Sequence, residues 1–372
     1  MPRIIHTADI HLGMQFKNFG RSGNRIRAYL KNCLRKIVDL TLENQAQCLL
    51  IAGDLFDSTR ISSSTYRFVV SELGKLGDIP AVIIPGTHDP ASKRIIWDSL
   101  KECEVPSNVH LVLKPEQNPL TLKELDTTFW VKPNQQSNSN QSPVPELADS
   151  SLSKYHVAIA HGSMVIPGVN PKDDHPIQAE ELKDSNFNYI ALGHWHSYKE
   201  VESGKAFYPG APEIIRFGLK DAGHVLKVDI NDDGIITEKI KVAETVWQDI
   251  ELSTDVILSP GDIIKELEAY SGDSTVIRCR ITGEQVPGTN FDTELIETEL
   301  EDRYCFIRVE DLTESQNLEK LLNNHPSVTI TGQFIEVVKE QLENTTPEMR
   351  EVLNDALKLG TRLLTSKKAD QL

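Results

Sequence analysis

Residues 3–11 read RIIHTADIH and residues 48–54 read CLLIAGD. Each is a short apolar run that stops at an acidic residue or a histidine. The pattern recurs in AVIIPGTHD (81–89), YHVAIAHG (155–162) and NYIALGHWH (188–196). Apolar runs of this length, rich in Val and Ile and bounded by turn formers, predict buried strands. The five clusters then fall at the ends of several strands of one sheet, where their side chains can converge on one point.

The rest of the first 240 residues fits that frame. Further strands are predicted at 109–113, 127–132, 206–208, 224–230 and 235–242, with helices at 23–46 and 61–76. Strands alternating with helices indicate a layered α/β domain. The stretch 133–151, PNQQSNSNQSPVPELADSS, is too polar to fold alone and is read as an exposed loop inside this domain. After about 244 the order becomes strand, helix, strand, helix, strand, with no histidine inside it. This is a smaller second domain. Two domains suit a chain of 372 residues. A helical tail comes last. Thr346-Pro347 is a start signal, and Met349, Val352, Ala356, Leu359 and Leu363 make an apolar stripe. That stripe packs on its own domain or docks a partner. The expected boundaries are 1–243, 244–330 and 331–372.

Five cysteines without a CxxC pair, no signal-peptide pattern and no apolar run of about 20 residues point to a reduced, cytoplasmic, non-membrane protein. A net charge of −16 argues against coating nucleic acid by bulk attraction. A local basic face remains open. No acidic residue lies between Asp9 and Asp39, and Lys17, Arg21, Arg25, Arg27, Lys31, Arg35 and Lys36 do. Such a run is commonly a solvated helix face. Here it starts beside a candidate metal ligand and could guide a phosphate-rich substrate.

The clusters carry the chemistry. Asp9 and His11 are two apart, so on an extended strand end they point the same way. His194 and His196 repeat that spacing. Asp54 can bridge two ions, and His161 adds an imidazole. Carboxylate and imidazole donors without thiolate suit Mn²⁺, Fe²⁺ or Zn²⁺. The donors outnumber one tetrahedral ion but suffice for two ions about 3.5–4 Å apart, the spacing of two-metal phosphoryl-transfer sites. A single His at a strand end is commonly a surface residue. The joint occurrence is the signal.

These residues resemble the calcineurin-like metallophosphoesterase superfamily, whose ordered motifs are DxH, GD, GNH(D/E), H and GHxH. Here they read ADIH, AGD, GTHD, AHG and GHWH, over about residues 1–215. HTADIHLG, LLIAGDLFD, PGTHDP and YPGAPEIIRFG look like its DNA-repair exonuclease branch, typified by SbcD. The resemblance implies an α/β/β/α sandwich with a small α+β capping domain and a helical tail. It implies one metal on Asp9, His11 and His196, another on His161 and His194, and Asp54 between them, with Mn²⁺ as the expected ion. The family's asparagine ligand is replaced by Thr87: either Thr87 binds through water or the second metal is held more loosely. His88 is the implied catalytic residue, facing the scissile phosphate. Asp89 either orients His88 or caps a turn before Pro90.

The implied activity is a two-metal DNA nuclease of double-strand break repair, with Lys17, Arg21, Arg25 and Arg27 as candidate DNA contacts. The implied partners are an SbcC-like SMC-type ATPase and a second copy of the chain, although no feature of this sequence shows a homodimer. The alternatives are a phosphatase or phosphodiesterase on a small molecule or phosphoprotein, and a non-enzymatic scaffold.

Overall fold

The computed structural model describes residues 1–166, 168, 174–201, 204–257, 259–285, 291–314 and 326–365. His325 and the tail past Thr365 lie outside them. The chain divides into Met1–Val246 and Trp247–Leu372.

The first unit is built on two six-stranded sheets. One contains β1 (Arg3–Thr7), β2 (Cys48–Ala52), β3 (Ala81–Ile84), β4 (Val109–Leu111), β13 (His224–Asn231) and β14 (Gly234–Lys241), in the order β14-β13-β1-β2-β3-β4. The other contains β5 (Leu120–Leu122), β6 (Thr127–Val131), β7 (Tyr155–His161), β10 (Tyr189–Gly193), β11 (Lys199–Glu200) and β12 (Ala206–Tyr208), in the order β11-β12-β10-β7-β6-β5. A short pair, β8 (Ser163–Met164) and β9 (Pro176–Ile177), stands apart from both. β1, β2, β3 and β4 run parallel, as do β6, β7, β10 and β12.

The apolar runs are continuous because the central strands bury both faces. Ile4, Leu50, Val82 and Ile84 meet Phe129, Val157, Ile159 and Ala191 between the sheets. On the outside of the first sheet, α1 (Ser22–Glu43) packs on β1 and β2. It also contacts α2 (Ser63–Gly74), which in turn meets α3 (Arg94–Lys101). The second sheet turns Trp130, Ala160, Ile190 and Leu192 toward Leu182 of α4 (Ala179–Lys183) and toward Val144 and Leu147. The result is the layered α/β/β/α arrangement. The sequence reading of one sheet is corrected to two, so the clusters approach one another across a sandwich.

The loop 133–151 also departs from a simple exposed segment. It is anchored at its start and in its second half: Pro133, Asn134, Pro143 and Pro145 are buried, and Asn134 Nδ2 donates to the His161 carbonyl at 2.9 Å. Apolar Val144 and Leu147 supply the burial that the composition under-represents.

The second unit has the strand and helix order read from sequence: β15 (Val246–Ser253), α5 (Pro260–Glu268), β16 (Gly272–Thr282), α6 (Thr293–Leu300) and β17 (Tyr304–Asp311). Ser259 caps α5 through the Asp262 N–H, and Asp262 answers on the Ser259 N–H. Two tail helices come next, α7 (Ile330–Glu343) and α8 (Pro347–Thr365). They pack through Ile335, Val338 and Leu357, flanked by Phe334, Leu342 and Leu353. The predicted stripe lies on the other side of α8: Met349, Val352, Leu359 and Leu363 are 38–59% exposed.

Candidate active site

The parallel register of β1 and β2 continues past the strand ends. Asp9 N–H donates to the Gly53 carbonyl at 3.1 Å, His11 N–H to Asp54 at 3.0 Å and Leu12 N–H to Leu55 at 2.9 Å. The DIH and GD segments are therefore stitched side by side. Asp9 and His11 do not sit on extended strand, as their spacing suggested, and Asp54 shares their conformation. Their φ angles are 56°, 51° and 50°, in the left-handed region. That conformation is costly for residues with a Cβ and gathers at functional sites. Across the sandwich, Gly193 is in register with His161, and His194 N–H donates to Asp9 Oδ2 at 3.0 Å. Asp9 thus ties the end of β10 to the end of β1.

Glycine makes this approach possible. A Cβ on Gly193 would stand 1.9 Å from the Ala52 carbonyl oxygen. On Gly53, whose φ is +90°, it would stand 2.2 Å from His161 Nδ1.

The side chains form three groups, each with its donor atoms within 4.8 Å of one another. Asp9, His11 and His196 make the first. Asp54, His161 and His194 make the second. His11, Asp57 and His88 make the third. His194 and His196 therefore separate between two groups instead of sharing one. Asp54 Oδ2 lies 3.3 Å from His161 Nε2 and 3.9 Å from His11 Nε2, between the first two groups.

The donor set fits divalent cations. His161 is fully buried, and its Nδ1 lies 2.8 Å from the Ala52 carbonyl oxygen. A carbonyl only accepts, so Nδ1 holds the ring proton and Nε2 presents a lone pair toward Asp54. That buried Nε2 has no hydrogen-bond partner. Only a proton or a cation reconciles two facing electron pairs in a dry site. Without metal the proton wins. Burial disfavours the imidazolium, but the Asp54 charge 3.3 Å from Nε2 raises His161 to about 9. Asp54 is correspondingly held well below the usual carboxylate range: burial opposes its charge, and His161, His11 and His88 more than offset that. His196 moves the other way, to about 4, because burial outweighs the pull of Asp9.

Thr87 lies against the Asp54 carboxylate. Its hydroxyl donates to Asp54 Oδ2 at 3.2 Å, which orients the carboxylate. His88 has an exposed side chain. Its N–H donates to Asp54 Oδ1 at 2.8 Å, and its Nδ1 meets the Asp57 carbonyl at 2.9 Å. Asp89 does not orient His88. It is fully buried, and its two oxygens accept the Gly86 and Phe56 N–H groups at 2.7 and 3.0 Å. It pins the GTHD turn to the GDLF turn, and burial beside Asp54 raises it to about 7. The orienting role read for Asp89 belongs to the main chain of Asp57. Two acids that the motifs did not single out touch the site: Asp57, whose Oδ1 is 3.4 Å from His11 Nδ1, and Asp174, whose Oδ2 is 3.0 Å from His194 Nε2.

Lys17, Arg21, Arg25 and Arg27 come after the His11 turn, on a short 3-10 turn and the start of α1. Lys17, Arg21 and Arg25 have exposed side chains. Arg27 is committed to the Gln15 carbonyl at 2.7 Å. Lys31 and Arg35 lie over the Phe68 ring, at 5.5 and 5.0 Å.

The calcineurin-like phosphoesterase profile matches residues 2–198, which holds all of the candidate ligands above. The chain belongs to the calcineurin-like phosphoesterase family. Within that family it is 25% identical over 259 residues to the uncharacterized metallophosphoesterase YhaO of Bacillus subtilis, covering 66% of this chain and 61% of YhaO. It is 24% identical over 311 residues to SbcD of the nuclease SbcCD from the same organism, covering 74% of each. The chain thus spans less than two thirds of YhaO. Among solved structures it is similar to TT1561 of Thermus thermophilus, at 13% identity and a TM-score of 0.39, over 64% of this chain and 98% of that one. A calcineurin-like phosphoesterase is a metal-dependent hydrolase of phosphoesters, and the group Asp9, His11 and His196 and the group Asp54, His161 and His194 are where this one would hold its ions.

Proposed function

We propose that this protein is a two-metal DNA nuclease acting in double-strand break repair, with Mn²⁺ as its ion and an SbcC-like SMC-type ATPase as its partner. One observation carries the reading. The likeness to SbcD of the nuclease SbcCD covers 74% of this chain, about 275 of its 372 residues, and the first unit has only 246, so it extends into the second unit. A likeness confined to the hydrolase core would favour any phosphoester equally.

Two divalent cations, once bound, neutralise phosphate oxygens and lower the pKa of water at the site. The chain's own groups do the rest. Asp9 and Asp54 hold the two groups in register. The Asp57 carbonyl accepts from His88 Nδ1, which leaves His88 Nε2 to face a phosphate. In its protonated form that nitrogen can neutralise charge developing on the phosphate or give its proton to the leaving oxygen. Lys17, Arg21 and Arg25 suit contacts to a sugar-phosphate backbone, which position a strand without reading its bases. We assign residues 1–243 to the nuclease, 244–330 to a capping domain and 331–372 to partner docking. The exposed stripe Met349, Val352 and Leu359 supports that last assignment. Five free cysteines, four of them buried, suit a reducing compartment such as the cytoplasm.

The test is hydrolysis of linear duplex and single-stranded DNA by purified protein with Mn²⁺, beside His88→Ala. Degradation by wild type and loss in the variant support the reading. Turnover of small phosphoesters with neither DNA binding at low salt nor DNA cleavage would select a phosphatase or small-molecule phosphodiesterase instead. The net charge of −16 is the one feature that leans that way.

A further inference from the structure

The GHWH segment is held by a network that no motif contains. Trp195 lies between the two ligand histidines and stacks on Tyr208, with centroids 5.0 Å apart and planes 18° apart. Tyr208 in turn donates to the Gly162 carbonyl at 2.8 Å. Trp195 Nε1 donates to Ser163 Oγ at 3.0 Å. The Ser163 side chain hydrogen-bonds the carboxylate of Asp174, and Asp174 Oδ2 meets His194 Nε2 at 3.0 Å. Asp174 is fixed from behind. Its carbonyl accepts the Ser163 N–H at 3.2 Å, and the next residue, His175, donates its N–H to Ser139 at 2.9 Å.

An ionised carboxylate accepts and cannot donate. His194 Nε2 therefore carries the ring proton, and Nδ1 keeps its lone pair. His194 contributes one ring nitrogen to the group with Asp54 and His161, and Nδ1 is the one left for that purpose. His161 solves the same problem with a backbone carbonyl at its Nδ1. A carboxylate behind a ligand imidazole fixes its tautomer and raises its basicity.

We propose that Asp174 is the positioning residue of the second metal site: by accepting from Nε2 it commits His194 to binding through Nδ1, at the site where Thr87 supplies no amide. The proposal rests on the two-metal reading and concerns its weaker site. A ring fixed in the binding tautomer offsets part of the loss of a neutral donor at the Thr87 position.

The experiment titrates Mn²⁺ into full-length wild type, Asp174→Ala and Asp174→Asn, with bound ion counted by electron paramagnetic resonance. Circular dichroism checks the fold. Long-range ¹H–¹⁵N spectra of the metal-free protein report the His194 tautomer. Asp174→Ala should weaken one of two sites by about 10–100-fold and leave the other unchanged. Asp174→Asn keeps an acceptor oxygen and should recover most of that loss. His194 should be the Nε2–H tautomer in wild type. Two unchanged sites in Asp174→Ala overturn the proposal. So does Asp174→Asn as weak as Asp174→Ala, because charge or direct ligation would then be the role. If Asp174→Ala misfolds, Asp174→Asn and the wild-type tautomer decide: an Nδ1–H tautomer overturns it. These readouts are independent of substrate. Wild type that binds two ions but spares DNA counts against the nuclease alone, whereas wild type that binds fewer than two sinks the metal reading beneath both.

Discussion

Stripping the metal should leave a pH-dependent weakness centred on His161. Its folded value is about 9 against an ordinary 6.5. A raised value means the folded state holds the proton more tightly than the unfolded chain. The stabilisation is complete below about 6.5 and disappears as pH rises through 9. At about 1.4 kcal/mol per pH unit, that gap corresponds to about 3 kcal/mol. Asp89, raised to about 7, loses its own contribution between its ordinary 3.8 and 7. His6 and His196, lowered to about 3 and about 4, act only below 6.5. The window from 7 to 9.5 therefore leaves out these three and reports His161 together with His11, which burial lowers but Asp57, Asp54 and Asp9 raise above its ordinary value. The assay is urea unfolding in chelator, monitored by tryptophan fluorescence. Three of the four tryptophans, Trp97, Trp130 and Trp195, lie in the first unit. The His161 contribution should fall by about 2.5 kcal/mol across the window in wild type. The slope should be markedly smaller in Asp54→Asn, which removes the opposing charge. Saturating Mn²⁺ should abolish the slope in wild type, because metal binding needs the neutral ring and grows stronger as protons leave. A level profile for metal-free wild type, or an equal slope in Asp54→Asn, would refute the reasoning.

The same contacts set other outcomes. His88→Ala should lower hydrolysis of a chromogenic phosphodiester by about 10²–10⁴ with an unchanged melting temperature, since the side chain is exposed; kinetics beside a thermal melt will check it. Gly193→Ala must push a Cβ against the Ala52 carbonyl and should cost about 1–3 kcal/mol, read from urea unfolding, together with weaker Mn²⁺ binding. Thr87→Asn restores the family's amide and should tighten the second Mn²⁺, which calorimetric titration measures directly. Met349→Glu with Val352→Glu should abolish co-purification with an SMC-type ATPase and leave phosphodiester hydrolysis unaltered.

Much of this site was legible because each ligand ends an apolar run. The runs CLLIA and YIALG can only be strands buried on both faces, and the residues just after them sit at strand ends. The residue types Asp, His and Gly then name the chemistry. The features that the pattern hid have physical causes. Periodicity does not say which strands share a sheet, so the split between two sheets emerged only from pairing. Asp9 and His11 read as extended, yet both turn left-handed, as Asp54 does, to bring their side chains inward. Asp89 was drawn to His88 by sequence adjacency, but the turn sends its carboxylate down to the Gly86 and Phe56 amides. Asp174 lies in a polar stretch with no period at all, and only the loop's return to His194 reveals it. In the tail, α8 carries two apolar faces, and α7 takes the one formed by Leu353 and Leu357 rather than the longer stripe.

The central claim is a pair of ions bridged by Asp54. Anomalous diffraction from a Mn²⁺-soaked crystal tests it most directly. The account predicts two peaks about 3.5–4 Å apart, one against Asp9, His11 and His196, the other against His161 and His194, with Asp54 between them. A single peak, or two peaks with no shared Asp54, would contradict it.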